Sequence, residues 1–450
     1  IAADAHQIFI GIRAVNSSLT DGTNPNTMNV LIIGAGGREH AFAWKLRQSP
    51  KADHVFILPG NGGTQSLAES VPIASTDHPA IGRFVREHSV GLVVVGPEAP
   101  LVEGLRDFFA ADPQLQHIPF VGPGKAGAQL EGSKDFSKAF MNKYGIPTAS
   151  AHTFTLQTLE AGLAHLETLH PPYVLKADGL AAGKGVVITG ELAQAKAELT
   201  SMLQGKFGKA SNRVLIEQYL QGIELSVFVL TDGKDYVVLP EAKDYKRIGE
   251  GDTGPNTGGM GAISPVPFAT PEFMEKVTER VIRPTMYGLQ QEKIDFKGFL
   301  FIGLMNVGGE PYVIEYNVRM GDPETEVVLP RVKSDFLELL LAAAEGRLAD
   351  HQVDVDPKTA VTVVLVSGGY PGDYPKGLPI TTGQGHPESL VFHAGTKLDK
   401  QGTLLTDGGR VMAVTSLAAD RAAALAKSYQ TASAIAFEGK YFRKDIGFDL

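Results

Sequence analysis

The chain has no cysteine. That absence excludes disulfides, thiolate zinc centres and cysteine nucleophiles together, and it fits a reducing compartment, so a cytoplasmic location is expected. Nor does any apolar run approach the ~18 residues that a membrane-spanning helix needs. No membrane partner is expected. The formal charge of −9 comes without a long basic stretch to offset it, which argues against nucleic-acid binding and leaves any anionic substrate to a local group of Lys and Arg. Also missing is a basic start followed by an unbroken apolar core. Residues 1 to 27 end in a polar, turn-forming stretch and read as an extension, either an expression remnant or a misplaced start, with Met28 opening the natural fold.

What remains is a chain of 450 residues, 43% apolar, with ample material for a core and room for about three domains of roughly 150 residues. From Met28, apolar strand runs (Val30 to Ile33, Val55 to Leu58, Leu92 to Val95, Pro119 to Val121) alternate with helical stretches near Glu39 to Arg47 and Pro79 to Glu87. Such alternation implies an open parallel sheet, here over residues 28 to 130. Three of its strands end in glycine-bearing turns: Gly34 to Gly37, Pro59 to Thr64, and Gly96 to Pro100. Ligands bind at the carboxyl ends of strands in such sheets, so Gly36, Gly37, Asn61, Gly62, Glu98, Ala99 and Pro100 become candidates for substrate contact, with glycines that let helix amides approach a phosphate. The details argue against a dinucleotide site: the third glycine of G-x-G-x-x-G is replaced by Glu39, and no acidic residue closes the second strand.

Residues 131 to 350 mix helices with hairpin signals at Asp232-Gly233 and Gly308-Gly309, an α+β pattern. Residues 353 to 450 carry strands at Ala360 to Ser367 and Val411 to Ser416 and a helix over Ala418 to Ala436, which reads as a small α/β cap.

The chemistry concentrates in four runs. In Val313 to Glu326, strand alternation projects Glu315 and Asn317 to one side, with Arg319, Asp322, Glu324 and Glu326 crowded behind them. Oxygen ligands of this kind suit magnesium, which completes its shell with water and phosphate. A solvated strand face and a surface salt-bridge network are the bland alternatives, and this run alone leaves both open. Second, Tyr173 to Lys176 ends a strand, and Ala177 to Val186 is a small-residue turn holding Gly183, Lys184 and Gly185. It is no Walker A loop, since Asp178 stands where glycine is required and Gly185 where Ser or Thr is required. A flap over nucleotide phosphates fits better, with Lys176 as the fixed cation. Third, Val214 to Ser226 reads as strand, turn, strand; Glu224 can accept from ribose hydroxyls, and the backbone at Tyr219 and Leu220 can pair with an adenine edge. Fourth, Asp244, Lys246 and Arg247 lead into the glycine-rich loop Gly251 to Ala262, too long and ordered in composition for a mere connection, and a plausible cradle for phosphate or carboxylate.

Together, Gly34-Ala-Gly-Gly-Arg-Glu-His40, the Lys176 to Val186 flap, Gly254-Pro-Asn-Thr-Gly-Gly-Met-Gly261 and Arg319-Met-Gly-Asp-Pro-Glu-Thr-Glu326 closely resemble the phosphoribosylamine-glycine ligase (glycinamide ribonucleotide synthetase) family of the ATP-grasp superfamily, over Met28 to Leu450. Met320 stands where that family usually has Phe or Leu, an apolar exchange of small consequence. The resemblance implies a pre-ATP-grasp N-terminal domain, an ATP-grasp domain over 131 to 350 whose flap spans about 150 to 222, and a C-terminal domain. It implies ATP held by Lys134, Lys176, Glu217, Tyr219, Leu220 and Glu224, with Gly183 to Gly185 over the phosphates. Magnesium or manganese would sit on Glu315 and Asn317. Asp244, Lys246, Arg247, Gly258, Gly259, Met260, Arg319, Asp322 and Glu324 would face glycine and 5-phosphoribosylamine, with Lys176, Arg319 and Asp322 the catalytic set. A monomer or weak dimer is expected. The reaction so implied needs no protein nucleophile, in keeping with a chain that has no cysteine: ATP activates glycine as an acyl phosphate, which the ribosyl amine attacks. Another ATP-grasp carboxylate-amine ligase, or a nucleotide-binding regulator without turnover, are the alternative readings.

Overall fold

Within a strand, four consecutive apolar residues are all buried only where the sheet is covered on both faces. In the computed structural model, which describes residues 27 to 181 and 184 to 450, Val30 to Ile33 have no exposed surface. The leader up to residue 26 lies outside the described residues. Strands β1 (Met28–Gly34), β2 (Ala52–Pro59), β3 (Glu69–Ser70), β4 (Val90–Val95) and β5 (Phe120–Val121) form a parallel sheet in the order β3-β2-β1-β4-β5. The predicted alternation is thus realised, with helices α1 (Gly37–Leu46) and α2 (His78–Glu87) as crossovers. Asp77 caps α2 by accepting from the amide of Ala80 at 3.0 Å, and Pro79 sits in the first turn, where a missing N–H costs nothing.

The next strands build a second, antiparallel sheet. β6 (Ala151–Thr155), β7 (Tyr173–Ala177), β8 (Val186–Thr189) and β9 (Arg213–Glu217) run in the order β6-β9-β7-β8 around a small apolar core of their own that includes Leu166, Leu175, Leu199 and Ile216. The Ala177 to Val186 turn connects two strands of this sheet, as its composition predicts.

A third sheet holds the molecule together. Its strands β10 (Ile223–Thr231), β11 (Tyr236–Asp244), β14 (Gly261–Ser264), β15 (Gly298–Val307), β16 (Glu310–Asn317) and β17 (Thr359–Val366), with the short ribbon β12 (Arg247–Gly249) and β13 (Thr253–Asn256) set off from it, span the central and C-terminal regions. Beyond β17 follow the strands Arg410–Ala418 and Leu390–His393, all antiparallel, so the C-terminal strands extend the central sheet instead of forming one apart. The last helix starts later than predicted, at Arg421, because Asp420 caps it on the amide of Ala423 at 2.8 Å.

The sheets share cores. Phe42 of α1, Phe299 of β15 and Phe336 stack on one another with centroids 5.8 to 6.2 Å apart, which welds the parallel sheet to the central one. At the far side, the amide of His393 donates to Nδ1 of His40 at 2.8 Å, and Asn61 donates to the carbonyls of Ala35 and His393 at 2.9 and 2.8 Å. Burial lowers the His393 imidazole to about 4, and burial together with the neighbouring His393 holds His40 well below its ordinary value. Both therefore fold neutral. Between pH 6.5 and about 4 the unfolded chain binds protons that the folded chain refuses, so stability present above pH 6.5 is lost as pH falls. Urea denaturation at pH 7 and at pH 5 should show a loss of about 1–2 kcal/mol for each of the two histidines, and a His40→Gln, His393→Gln variant should show a flatter dependence.

Candidate active site

Where the three sheets meet, a cavity of about 500 Å³ opens. Its lining comes from many parts of the chain: Leu180, Ala181 and Gly185 of the flap, Lys134 and Lys138 of the helix Lys134–Lys143, Glu315 and Asn317 of β16, Asp244 at the end of β11 and Lys246 just after it, and Arg410 of the C-terminal strand.

β16 delivers Glu315 and Asn317 by means of a bulge. Glu315 pairs with Gly303 but Val313 with Leu304, so Ile314 is an extra residue and the strand turns its last residues into the cavity. Glu315 is the electrostatic centre. Its charge acts on Lys134, Lys176 and Lys246 together: burial lowers the Lys134 ammonium and Glu315 offsets part of that, while Lys176 and Lys246, with further carboxylates beside them, are raised in spite of burial. Asn317 Oδ1 accepts from Arg319 at 3.1 Å, while its buried Nδ2 has no partner among the described residues.

At the flap side, Lys176 forms a 2.8 Å ion pair with Glu217, whose other oxygen lies 3.5 Å from Lys138. Burial opposes the Lys176 charge but Glu217 outweighs it, so the ammonium stays on; Lys138, less well paired, is lowered by burial to about 8. Asp178 has a structural duty here. It accepts from Ser133 Oγ at 2.9 Å and from the amide of Asp135 at 2.8 Å, tying the flap base to the amino end of the helix that carries Lys134 and Lys138.

The opposite side is a web of arginines and carboxylates. Arg319 pairs with Glu131 at 2.7 Å and Glu98 at 3.4 Å. Burial pushes Glu131 up to about 7 against the pull of Arg319, whereas for Glu98 the arginines Arg319 and Arg38 outweigh burial and hold the carboxyl low. Asp322 accepts from the amide of Arg38 at 3.2 Å and pairs with Arg410 at 3.1 Å. Burial and the nearby Asp244 push Glu324 up to about 7. Gly258 serves this web by its size, since a Cβ there would lie 2.8 Å from the Arg410 guanidinium carbon.

The first glycine turn departs from expectation. Gly34, with Gly96 of the third turn, makes room for a carboxylate: a Cβ at Gly96 would lie 1.9 Å from Oε1 of Glu39, and one at Gly34 2.5 Å from the same side chain. Glu39 accepts from the amide of Gly36 and pairs with Arg38 at 2.6 Å, so the amino end of α1 is closed by its own third residue.

The cavity unites Lys134, Lys176, Gly185, Glu217, Glu315, Asn317, Asp244, Lys246, Gly258, Arg319, Asp322, Glu324 and Glu98, with Lys176 reached through Glu217. Others stand apart. Met260 is a correction: it is fully buried in the core, its N–H donates to the carbonyl of Tyr245 and its carbonyl accepts from Val364, so nothing of it can face a substrate. Asn61 and Gly62 are spent on the C-terminal strands, Gly62 donating to the carbonyl of Thr396 at 3.0 Å. Arg247 donates to the carbonyl of Gly254 at 2.8 Å and steadies the β12–β13 ribbon. Gly36 and Gly37 pack on Glu39, Asp322 and Glu326, and Gly259 on Pro323. Lys184, Tyr219, Leu220, Ala99 and Pro100 do not line the cavity, Glu224 reaches it through an ion pair to Lys246, and Gly183 lies outside the described residues. Sequence reasoning missed Glu131, Lys138, Arg38 and Arg410. Lys138 could have been found, four residues past Lys134 on the same helix face.

Three family models match in succession: phosphoribosylglycinamide synthetase N domain over residues 28–131, its ATP-grasp (A) domain over 132–325 and its C domain over 360–449. The chain belongs to the phosphoribosylglycinamide synthetase family. Phosphoribosylamine--glycine ligase of Allochromatium vinosum is 47% identical to it over 93% of this chain and 98% of that protein, and the Yersinia pestis protein of the same name is 45% identical over 94% and 98%. Among solved structures, the phosphoribosylamine--glycine ligase of Thermotoga maritima superposes with a TM-score of 0.81 at 35% identity, covering 93% of this chain and 99% of that one. The biotin carboxylase domain of Hydrogenobacter thermophilus 2-oxoglutarate carboxylase, at 18% identity, TM-score 0.70 and coverage of 93% and 92%, shares the fold. Among the described residues no helix is long and apolar enough to cross a membrane, and no three His, Asp or Glu side chains are grouped to hold a metal by themselves. As a family member the chain is an ATP-dependent ligase.

The Lys176–Glu217–Lys138 triad is the most exposed to a single substitution. Glu217→Gln would leave two buried ammonium groups without their counter-charge, and urea denaturation should show a loss of about 3 kcal/mol.

Proposed function

We propose that this chain joins glycine to 5-phosphoribosylamine at the expense of ATP, giving glycinamide ribonucleotide, ADP and phosphate. One observation carries the reading: one cavity is lined by Glu315 and Asn317, by a lysine group (Lys134 and Lys138, with Lys176 behind Glu217) suited to nucleotide phosphates, and by an arginine-carboxylate web (Arg319, Asp322, Arg410) suited to an amine and a phosphate or carboxylate. The family membership sets the reaction class, and the two sides of the cavity supply its two kinds of substrate.

A carboxylate is a poor acylating agent at neutral pH, so the γ-phosphoryl of ATP is first moved to a glycine oxygen. The amine nitrogen of 5-phosphoribosylamine then attacks the acyl carbon, phosphate leaves, and the amine proton is lost. Lys176 and Lys134 neutralise the polyphosphate, each kept charged by Glu315 or Glu217. Arg319, with Asn317 on one side and Glu131 on the other, is held in one orientation beside the transferring group. The flap loop up to Gly185 covers the phosphates and keeps water from the acyl phosphate.

Glu315 and Asn317 fit magnesium or manganese. Both offer oxygen, and Asn317 Oδ1 has one lone pair on Arg319 and a second one left. Such an ion, when bound, offsets the charge on the phosphoryl oxygens.

A coupled assay of ADP release with glycine and freshly generated 5-phosphoribosylamine, omitting each in turn, should show dependence on both. Release that proceeds unchanged without either would overturn the reading, and a panel of other amines would then identify the acceptor. Lys176→Ala and Glu315→Ala should each lower glycine-dependent release by about a hundredfold or more.

A further inference from the structure

Glu326, in the short helix Thr325–Val328, has no exposed surface, and neither of its carboxyl oxygens has a hydrogen-bond donor among the described residues. An ionised carboxylate could not be kept there, since burying a charge without a partner costs far more than taking up a proton. Its neighbour is Asp322. A Cβ at Gly37 would lie 2.3 Å from Glu326 Oε1 and 3.7 Å from Asp322 Oδ2, so the two carboxyls converge over the first turn of α1, where only a glycine leaves room. Asp322 has the opposite environment. It lines the cavity, accepts from the amide of Arg38 and pairs with Arg410. The charged groups facing Glu326 are Asp322 from its own turn, Arg410 from the C-terminal strand and Arg38 from α1.

Two carboxyls side by side, one bonded directly to Arg410 and to the Arg38 amide and the other feeling those arginines only from a distance, divide their protonation: the first ionises and the second keeps its proton. We propose that Glu326 is a positioning residue whose protonated carboxyl donates a hydrogen bond to Asp322, holding Asp322 ionised and aimed at the substrate amine. The electrostatic surroundings agree. Burial and Asp322 push the Glu326 carboxyl far above the ordinary range, and Asp322 stays low despite burial because of Arg410, Arg38 and the Glu326 hydrogen bond. The donor also matters mechanically. Asp322 joins α1, the Arg319 to Glu326 turn and the C-terminal strand, and its bonds to the Arg38 amide and to Arg410 are strongest while it is an anion in one rotamer.

The inference rests on the ligase reading and is tested in the full chain with Glu326→Gln, which keeps an N–H donor in the same shape, and Glu326→Met, which keeps the volume and loses the donor. In the ADP-release assay, Glu326→Gln should stay within about threefold of the parent kcat/KM for 5-phosphoribosylamine, and Glu326→Met should lose about tenfold or more, with the acid limb of its pH profile moved to higher pH as Asp322 becomes easier to protonate. A parent infrared band from a protonated carboxyl, persisting at about pH 8 where ordinary carboxylates are ionised, should vanish in Glu326→Gln. The inference is overturned if Glu326→Gln is folded but as impaired as Glu326→Met, if Glu326→Met changes neither kcat/KM nor the acid limb, or if the infrared band is absent. Should Glu326→Met not fold, the Gln variant and the band still decide. If the parent chain itself shows no dependence on both substrates, the ligase reading fails instead, and the infrared band still reports on the carboxyl pair.

Discussion

The most buried charges of the cavity, Lys176, Glu217 and Arg319 among them, are withdrawn from bulk water and keep their charge because an opposite charge is within reach. This constraint shapes the rest of the molecule. A buried ion pair seldom adds net stability over an apolar replacement, but a broken one is costly, so the groups are interdependent. Glu217 keeps Lys176 charged, Glu315 supports Lys134, Lys176 and Lys246 at once, and Arg319 is shared by Glu98 and Glu131. Such an arrangement is poorly optimised for stability and well suited to receiving a polyanion and losing it again. The cationic side chains are already charged and oriented, so little reorganisation is needed when substrate charge develops.

The constraint explains why distant parts of the chain must meet. Arg410 comes from the strand two places beyond β14 in the central sheet, yet its guanidinium donates to the carbonyls of Gly258 and Asp322 at 2.7 and 2.6 Å. A separate C-terminal cap on a flexible link could not hold that geometry. Continuous backbone pairing from β14 through β17 to the Arg410 strand fixes it to a register. The flap sheet differs. It has its own small core and touches the site through Lys176, Glu217 and the Asp178 cap, which suits a unit that can adjust its distance to a nucleotide without disturbing the arginine web.

Much of this is legible in the amino-acid sequence. Apolar runs separated by helical stretches reveal a parallel sheet, Asp-Gly and Gly-Gly reveal hairpins, and the spacing of Glu315, Asn317 and Arg319 reveals a site, because each depends on local periodicity. Arg410, Glu131 and Arg38 are not legible there, since their importance arises from pairing across long stretches of chain. Met260 misleads for a related reason. A glycine-rich loop signals an exposed backbone, but the loop re-enters the sheet at Met260, whose N–H and carbonyl are consumed by Tyr245 and Val364. Asn61 and Gly62 read as ligand-facing by their position at a strand end, yet the C-terminal strands claim that position first.

The turn after β1 shows where motif reasoning needs a further physical condition. Glycines at a strand end and a helix start indicate that something must approach the backbone closely, and they do not say what. Here Glu39 is the third residue of α1, the position from which a carboxylate reaches back to the amide before the helix, and Arg38 beside it supplies the cation. The amide of Gly36 is therefore already taken by Glu39 and that of Arg38 by Asp322, and an anion brought to the same point would meet the Glu39 carboxylate at Gly34, Gly36 and Gly96 and that of Asp322 at Gly36 and Gly37. The space made by the glycines is filled by the protein itself. In this turn an acidic side chain of the same helix reaches the amide of Gly36 and pairs with Arg38, so the turn anchors an arginine.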